Sequence, residues 1–294
     1  MSGFSPEWLR LREPLDAASR DVGLCAQLPR ERDAPLQVID LGAGTGANLR
    51  YLAPLLGGAQ EWLLVDDDPT VLQAVEDELT HWARSRAAKI ERLAQGLAFS
   101  GVQFQCRVRC QRIDLAADLN ELQLPDEALV TASALLDLVS APWLRSLAER
   151  CRTARARALF SLTYDGRMSC SPVEPEDHIV FDLFNRHQTT DKGFGPALGP
   201  AAAAAAVQIF EDFGYAVRTR PSDWNLGPGN RALQAALVDG WLEAALEIAP
   251  EQQAMLESWH DRRREHIENG RSVLRVGHID LVGWLPSDAD GSDD

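Results

Sequence analysis

Apolar positions along this chain fall into short runs of strand length, set between stretches where they recur at helical spacing. Val38-Ile39-Asp40-Leu41 reads as a buried strand, Gly42, Gly44 and Gly46 turn the chain, and Leu49, Leu52, Leu55 and Leu56 continue as a helix. Glu61 to Val65 predicts a second strand, and Pro69 opens a helix with Val71, Leu72, Val75 and Leu79 on one face, capped by Asp68. Residues 84–100 read as a polar connector, after which Val102 to Val108 alternates as a strand does. The continuous run Ala128 to Leu136 is apolar enough for the central strand of a parallel sheet. A helix over 142–151 and a strand over 158–164 follow.

Residues 165–200 predict a long loop rich in polar and glycine positions, of the kind that serves as a lid or binding loop. The alanine run 201–206 continues through Val207, Ile209, Phe210 and Phe213 as a core helix ended by Gly214. Tyr215 to Thr219 and Ser272 to Trp284 read as the last two strands, with 228–270 between them as a helical insertion carrying Trp241 and Trp259 at packing positions. At the N-terminus, Ser5-Pro6-Glu7 starts a helix that presents Trp8, Leu11, Leu15 and Ala18 inward. The expected organisation is a helical cover over 1–30, one α/β domain over 31–286, and a disordered acidic tail over 287–294.

Composition narrows the function classes. The 294 residues, 45% of them apolar, suffice for a large core, and the formal charge of −15 disfavours a general electrostatic grip on nucleic acid or an anionic membrane. A local basic groove stays open at Arg262-Arg263-Arg264. The five cysteines follow no metal-ligand spacing, so no metal is expected. The stretch before Trp8 does not read as a signal peptide, and no apolar run reaches the roughly 20 residues needed to span a bilayer. The cytoplasm is therefore the expected compartment.

The glycine turn carries the chemistry, because without Cβ atoms a ligand can come close to the backbone. Gly42-x-Gly44-x-x-Ala47, with the acid Asp66 further on, formally fits a dinucleotide fingerprint. Against a pyrophosphate stands Asp40, an acid near the end of the first strand. A ligand with a cationic centre would not object.

Asp40-Leu41-Gly42-Ala43-Gly44-Thr45-Gly46 resembles motif I of the class I S-adenosylmethionine-dependent methyltransferases, and the likeness continues in order through Val65-Asp66, Asp114-Leu115 and the strand at 128–136. The resemblance implies a Rossmann-like doubly wound sheet of seven strands in the order 3-2-1-4-5-7-6, with an N-terminal helical cover and a helical insertion between the last two strands. It implies that Asp40, Gly42, Ala43, Gly44 and Asn48 approach S-adenosylmethionine, or its product S-adenosylhomocysteine. Asp66 would take the ribose hydroxyls, as a carboxylate can accept from both, and Asp67 would follow it toward the adenine edge. Asp114 would accept from the adenine amine and Leu115 pack on its face, or Asp114 is only a turn cap. Ser133 ends the central strand at the switch point, where small residues leave room for cofactor. Arg12 either holds the methionine carboxylate or, with Arg20, pairs with Asp16 on a solvated face.

The acceptor side is read from residue chemistry. His187 is the candidate general base, because its unperturbed pKa of about 6.5 suits proton transfer near neutrality. Asp137 either faces the transferred methyl group or caps the turn before Pro142. Asn185, Gln188, Asp191 and Lys192 are candidate substrate contacts, and Trp224 a candidate substrate wall. The expected activity is in-line methyl transfer to an oxygen, nitrogen or carbon of a small molecule, with no membrane partner, nucleic acid disfavoured, and the oligomeric state open, a homodimer included. The rivals are a catalytically silent S-adenosylmethionine-binding partner protein, a protein or nucleic-acid methyltransferase, and an NAD-dependent oxidoreductase. The last lacks a Tyr-x-x-x-Lys pair, since Met168 stands four residues after Tyr164.

Overall fold

The computed structural model describes residues 5–28 and 34–286. The expected acidic tail at 287–294 and parts of the expected N-terminal cover lie outside the described residues. In chain order the elements are α1 (Pro6–Ser19), β1 (Leu36–Leu41), α2 (Ala47–Leu56), β2 (Gly58–Asp66), α3 (Pro69–Ser85), β3 (Lys89–Arg92), β4 (Leu97–Ser100) and β5 (Phe104–Arg112). Then come β6 (Leu129–Ser133), α4 (Ala141–Thr153), β7 (Arg157–Ser171), α5 (Asp177–Gln188), α6 (Ala202–Asp212), β8 (Ala216–Pro221) and β9 (Trp224–Leu226). The last are α7 (Arg231–Ile248), α8 (Gln253–Glu268) and β10 (Val273–Trp284).

Strand β1 is buried on both faces. Its alternate side chains enter two cores: Val38 joins Leu49, Leu52, Val75 and Leu79 of α2 and α3, while Ile39 and Leu41 join Leu144, Leu147, Ile209 and Phe210 of α4 and α6. The resulting sheet runs β5-β2-β1-β6-β7-β10-β8 through its centre, parallel from β5 to β7 and antiparallel at β10. Counted over those seven strands, the order is 3-2-1-4-5-7-6, as expected for a Rossmann-like fold.

Among the described residues the sheet has ten strands, not seven. Residues 84–100, expected as a connector, supply the antiparallel hairpin β3–β4 beside β5. Charged residues such as Lys89, Glu91 and Arg92 hide its period, and they suit an edge strand that must not recruit another chain.

Residues 165–200 are not one long loop: most of the span to Gln188 is strand and helix, and a loop remains at 189–198. β7 continues to Ser171 because β10 pairs with it antiparallel as far as Val273 opposite Ser171, and α5 follows. A third core covers this extension, with Tyr164, Val180, Leu183, Trp241 and Trp259 packed together. Trp241 and Trp259, at 2% and 0% exposure, are packing residues, as expected. Among the described residues no helix is long and apolar enough to cross a membrane.

Candidate functional site

Three glycines of the turn after β1 hold left-handed conformations, φ +61° at Gly42, +53° at Gly44 and +81° at Gly46. The turn reaches across to the end of β2, where the Gly44 N–H donates to Asp66 Oδ2 at 2.8 Å and Asp66 Oδ1 accepts from the Asp68 N–H at 3.0 Å. A Cβ on Gly44 would stand 3.1 Å from Leu9 of α1, so α1 lies directly over the turn. Arg50 of α2 holds α1 there by gripping Glu13 through Nε (2.7 Å) and Nη2 (2.5 Å), and Arg10 reaches Glu78 of α3 at 2.6 Å.

Beneath α1 opens a cleft of about 390 Å³ at the carboxyl ends of the strands. It brings together Gly42, Gly44, Asp66, Asp67, Asp114, Leu115 and Ser133, with Arg12 and Lys192 toward its other side. Ala134, next to Ser133, sits at φ +55°, strained for a residue with a Cβ, and its N–H donates to Ser161 O at 2.9 Å. Asp114 Oδ1 accepts the N–H groups of Ala116 (2.9 Å) and Ala117 (3.3 Å), so it caps a turn while facing the cleft. Burial raises the pKa of Asp66, against the pull of its backbone donors.

A second cavity, about 500 Å³, lies on the other side of α1 and meets the first at Ser133. Asn48 is on this side. Its Nδ2 donates to Asp40 Oδ1 at 2.6 Å and to Thr131 Oγ1 at 3.1 Å, while its Oδ1 accepts from Arg20 Nη1 at 2.9 Å. The Arg20 guanidinium stacks 4.0 Å over the Tyr51 ring, its Nε has no partner, and among the described residues no carboxylate pairs with it. Burial lowers its pKa, opposed by the more distant Asp280. The sequence predicts Arg20 only as a partner for Asp16; that it is 8% exposed and stacked on Tyr51 depends on α2.

Asp40 is fully buried with Oδ2 unpartnered, and burial lifts its carboxyl from 3.8 to about 7. The folded protein keeps a proton that the unfolded chain gives up, so stability from this group is full below about pH 4 and is lost as pH rises toward about 7. Asp40→Asn is expected to remove on the order of 2–4 kcal/mol of that loss. Urea unfolding of both proteins at about pH 5 and about pH 8 checks this; an equal slope in the two would refute it.

The acceptor-side candidates disperse. His187 lies in the last turn of α5, where its Nε2 is 3.0 Å from Glu247 of α7 and its Nδ1 is 3.2 Å from Lys192 Nζ; it does not line the cleft. Burial lowers the Lys192 pKa. Asp191 Oδ1 accepts the N–H groups of Gly193 (2.7 Å) and Gly195 (3.0 Å), which shapes the loop carrying Lys192 and Phe194 to the cleft. Asn185 accepts from the Tyr164 hydroxyl at 2.6 Å and donates to Gly166 O, and Gln188 ends α5 away from both cavities. Trp224 is 3% exposed, with the Arg12 guanidinium 5.0 Å over its ring; Arg12 also pairs with Asp16 at 2.8 Å. Asp137 is buried with Oδ1 unpartnered, its carboxyl raised by burial to about 6.

A glycine turn, an acid at the end of the second strand and a cleft at the switch point thus come together on a Rossmann-like α/β fold. No protein-family model matches this sequence, and no curated protein sequence matches it either. Among solved structures, the chain is similar to phosphoethanolamine N-methyltransferase 2 of Haemonchus contortus in complex with S-adenosyl-L-methionine, at 11% identity and TM-score 0.48, covering 97% of this chain and 58% of that one. It is similar to a cyclopropane synthase of Mycobacterium tuberculosis (10%, TM-score 0.45, 96% and 87% covered). A third likeness is to an arsenic(III) S-adenosylmethionine methyltransferase of Chlamydomonas reinhardtii (14%, TM-score 0.42, 94% and 74% covered). Likenesses this distant carry no assignment of activity.

Proposed function

We propose that this protein transfers the methyl group of S-adenosylmethionine to a small-molecule acceptor. The carrying observation is the charge layout around the glycine turn. Gly44 spends its N–H on Asp66, and a buried carboxyl, Asp40, lies under the turn, which suits a pyrophosphate poorly. On the far side of Ser133, Arg20 lines a cavity and, among the described residues, has no carboxylate partner, while Asp40, fully buried, lines neither cavity. S-adenosylmethionine carries a diol for Asp66 and a carboxylate for Arg20. Leu115 and Asp114 fit its adenine, and Ser133, where the two cavities meet, fits the sulfonium end. In-line displacement needs the acceptor held roughly 3–3.5 Å from the methyl carbon.

Calorimetry with S-adenosylmethionine, S-adenosylhomocysteine and NAD tests the cofactor. The first two are expected to bind, and Asp66→Ala to weaken both by about 10–100-fold, through loss of charge-assisted hydrogen bonds to the ribose. Binding of NAD alone, or of none of the three, would overturn the reading.

A further inference from the structure

Asp137 follows the strained end of β6, three residues beyond Ala134, and its carboxylate is the group that the site leaves unexplained. It does not cap α4: Ser140 does, accepting the Trp143 N–H at 3.4 Å. Its main-chain oxygen is occupied by the Gly199 N–H at 2.9 Å, but side-chain Oδ1 is sealed from solvent without a partner. An unpaired buried carboxylate is costly, and a ligand that satisfies it recovers that cost.

The neighbours do not supply a counter-charge. Arg12 of α1 acts on Asp137 from a distance, but its guanidinium is committed to Asp16 at 2.8 Å and to the face of Trp224. Tyr164 of β7 approaches with a backbone N–H, and its hydroxyl donates to Asn185 at 2.6 Å. His278 of β10 packs its ring 6.2 Å from Tyr164 and 5.0 Å from Trp224, and burial holds it neutral, with a pKa near 3. The result is a buried anion near Tyr164, next in the chain to Leu138, which lines the cofactor cleft. A carboxylate or phosphate group would be repelled here, and an alcohol would bring a donor without the charge. An ammonium group brings both.

We propose that the acceptor is an amine, whose ammonium group docks on Asp137 beside Tyr164, with Asp137 as the proton acceptor. This rests on the methyl-transfer reading. The ammonium gives one proton to the Asp137 carboxylate. The freed lone pair forms the C–N bond as the methyl C–S bond of the sulfonium breaks, and the bonding pair leaves with sulfur as the thioether of S-adenosylhomocysteine. The methylated ammonium departs and Asp137 returns its proton to water. A base that titrates at about 6 is ionised at neutral pH, so kcat/KM rises through that range on the acid side.

The test uses the full chain and methyl-labelled S-adenosylmethionine, with ethylamine, cyclohexylamine and 2-phenylethylamine as probes, each beside the alcohol and carboxylic acid of the same skeleton. Label is expected on an amine and on none of its partners. Asp137→Asn is expected to lower kcat/KM about 100-fold or more and abolish the acid limb, with cofactor affinity within about threefold of wild type. Asp137→Glu is expected to retain part of the activity, and melting curves establish that both variants fold. Label on alcohols or acids, or on no amine of the panel, overturns the proposal while cofactor binding leaves methyl transfer standing. A weakening of S-adenosylhomocysteine binding by about tenfold or more in Asp137→Asn also overturns it, assigning the carboxylate to the cofactor's own ammonium. No cofactor binding by the wild type would fell both readings.

Discussion

Arg263→Ala is expected to cost the fold about 3–5 kcal/mol, the largest stability loss predicted for any single side chain here. Arg263 is 0% exposed, on α8. Its Nε reaches Asp177 Oδ1 at 3.0 Å, Nη2 binds Asp177 Oδ2, and Nη1 donates to Pro172 O at 2.5 Å. Asp177 also accepts from Trp259 Nε1 at 2.8 Å. Removing the guanidinium strands a carboxylate inside the third core, and the desolvation of that charge dominates the cost. Arg262 and His266 flank the pair on Glu174, at 2.6 and 2.7 Å, but both are partly exposed and contribute far less. Because the pair joins α8 to the start of α5, the loss should appear as earlier proteolysis around α5, α7 and α8. Urea unfolding measures the size. The double variant Asp177→Leu/Arg263→Met should recover most of it, since two apolar residues leave no charge unpaired. If Arg263→Ala cost under about 1 kcal/mol, the pair would not be the anchor described.

The second large effect is on binding. Arg20→Met is expected to weaken S-adenosylmethionine by about 30–1000-fold, or about 2–4 kcal/mol, because the carboxylate would lose its buried, charge-assisted partner. The free protein should melt no lower than wild type, since the variant removes a guanidinium that is buried beside Asn48 with no carboxylate of its own among the described residues. Arg12→Met, by contrast, should change cofactor affinity only a few-fold, as Arg12 is already paired with Asp16. Calorimetry with melting curves separates the two. Normal affinity in Arg20→Met would place the amino-acid end of the cofactor elsewhere.

Legibility in the sequence followed the range of the interactions. Asp66 is legible as a cleft residue because it ends a strand whose apolar pattern is local, and Asp114, two residues beyond β5, through the resemblance of its motif. Asn48 was placed with the cofactor by its motif, yet its amide is spent on Asp40 and Thr131, a polar chain that only the β1–β6 pairing assembles. His187 was chosen for its intrinsic pKa, and in the fold it bridges Glu247 and Lys192 outside the cleft. His278 carries no distinguishing signal in the sequence, although β10 sets it beside Tyr164 and Trp224.

The sequence by itself determined the cofactor half: apolar runs that must be buried on both faces of a parallel sheet, and glycines at Gly42, Gly44 and Gly46 that hold positive φ without strain. These are local requirements, met by neighbours in the chain. Only the tertiary structure decided the edge hairpin β3–β4, the extension of β7, and the seating of α5 under α7 and α8. It also decided which charges stand alone, Arg20 on one side of Ser133 and Asp137 beyond it. The physical reason is that a charge is paired or unpaired according to what distant segments bring within a few ångströms, and no local pattern records that distance.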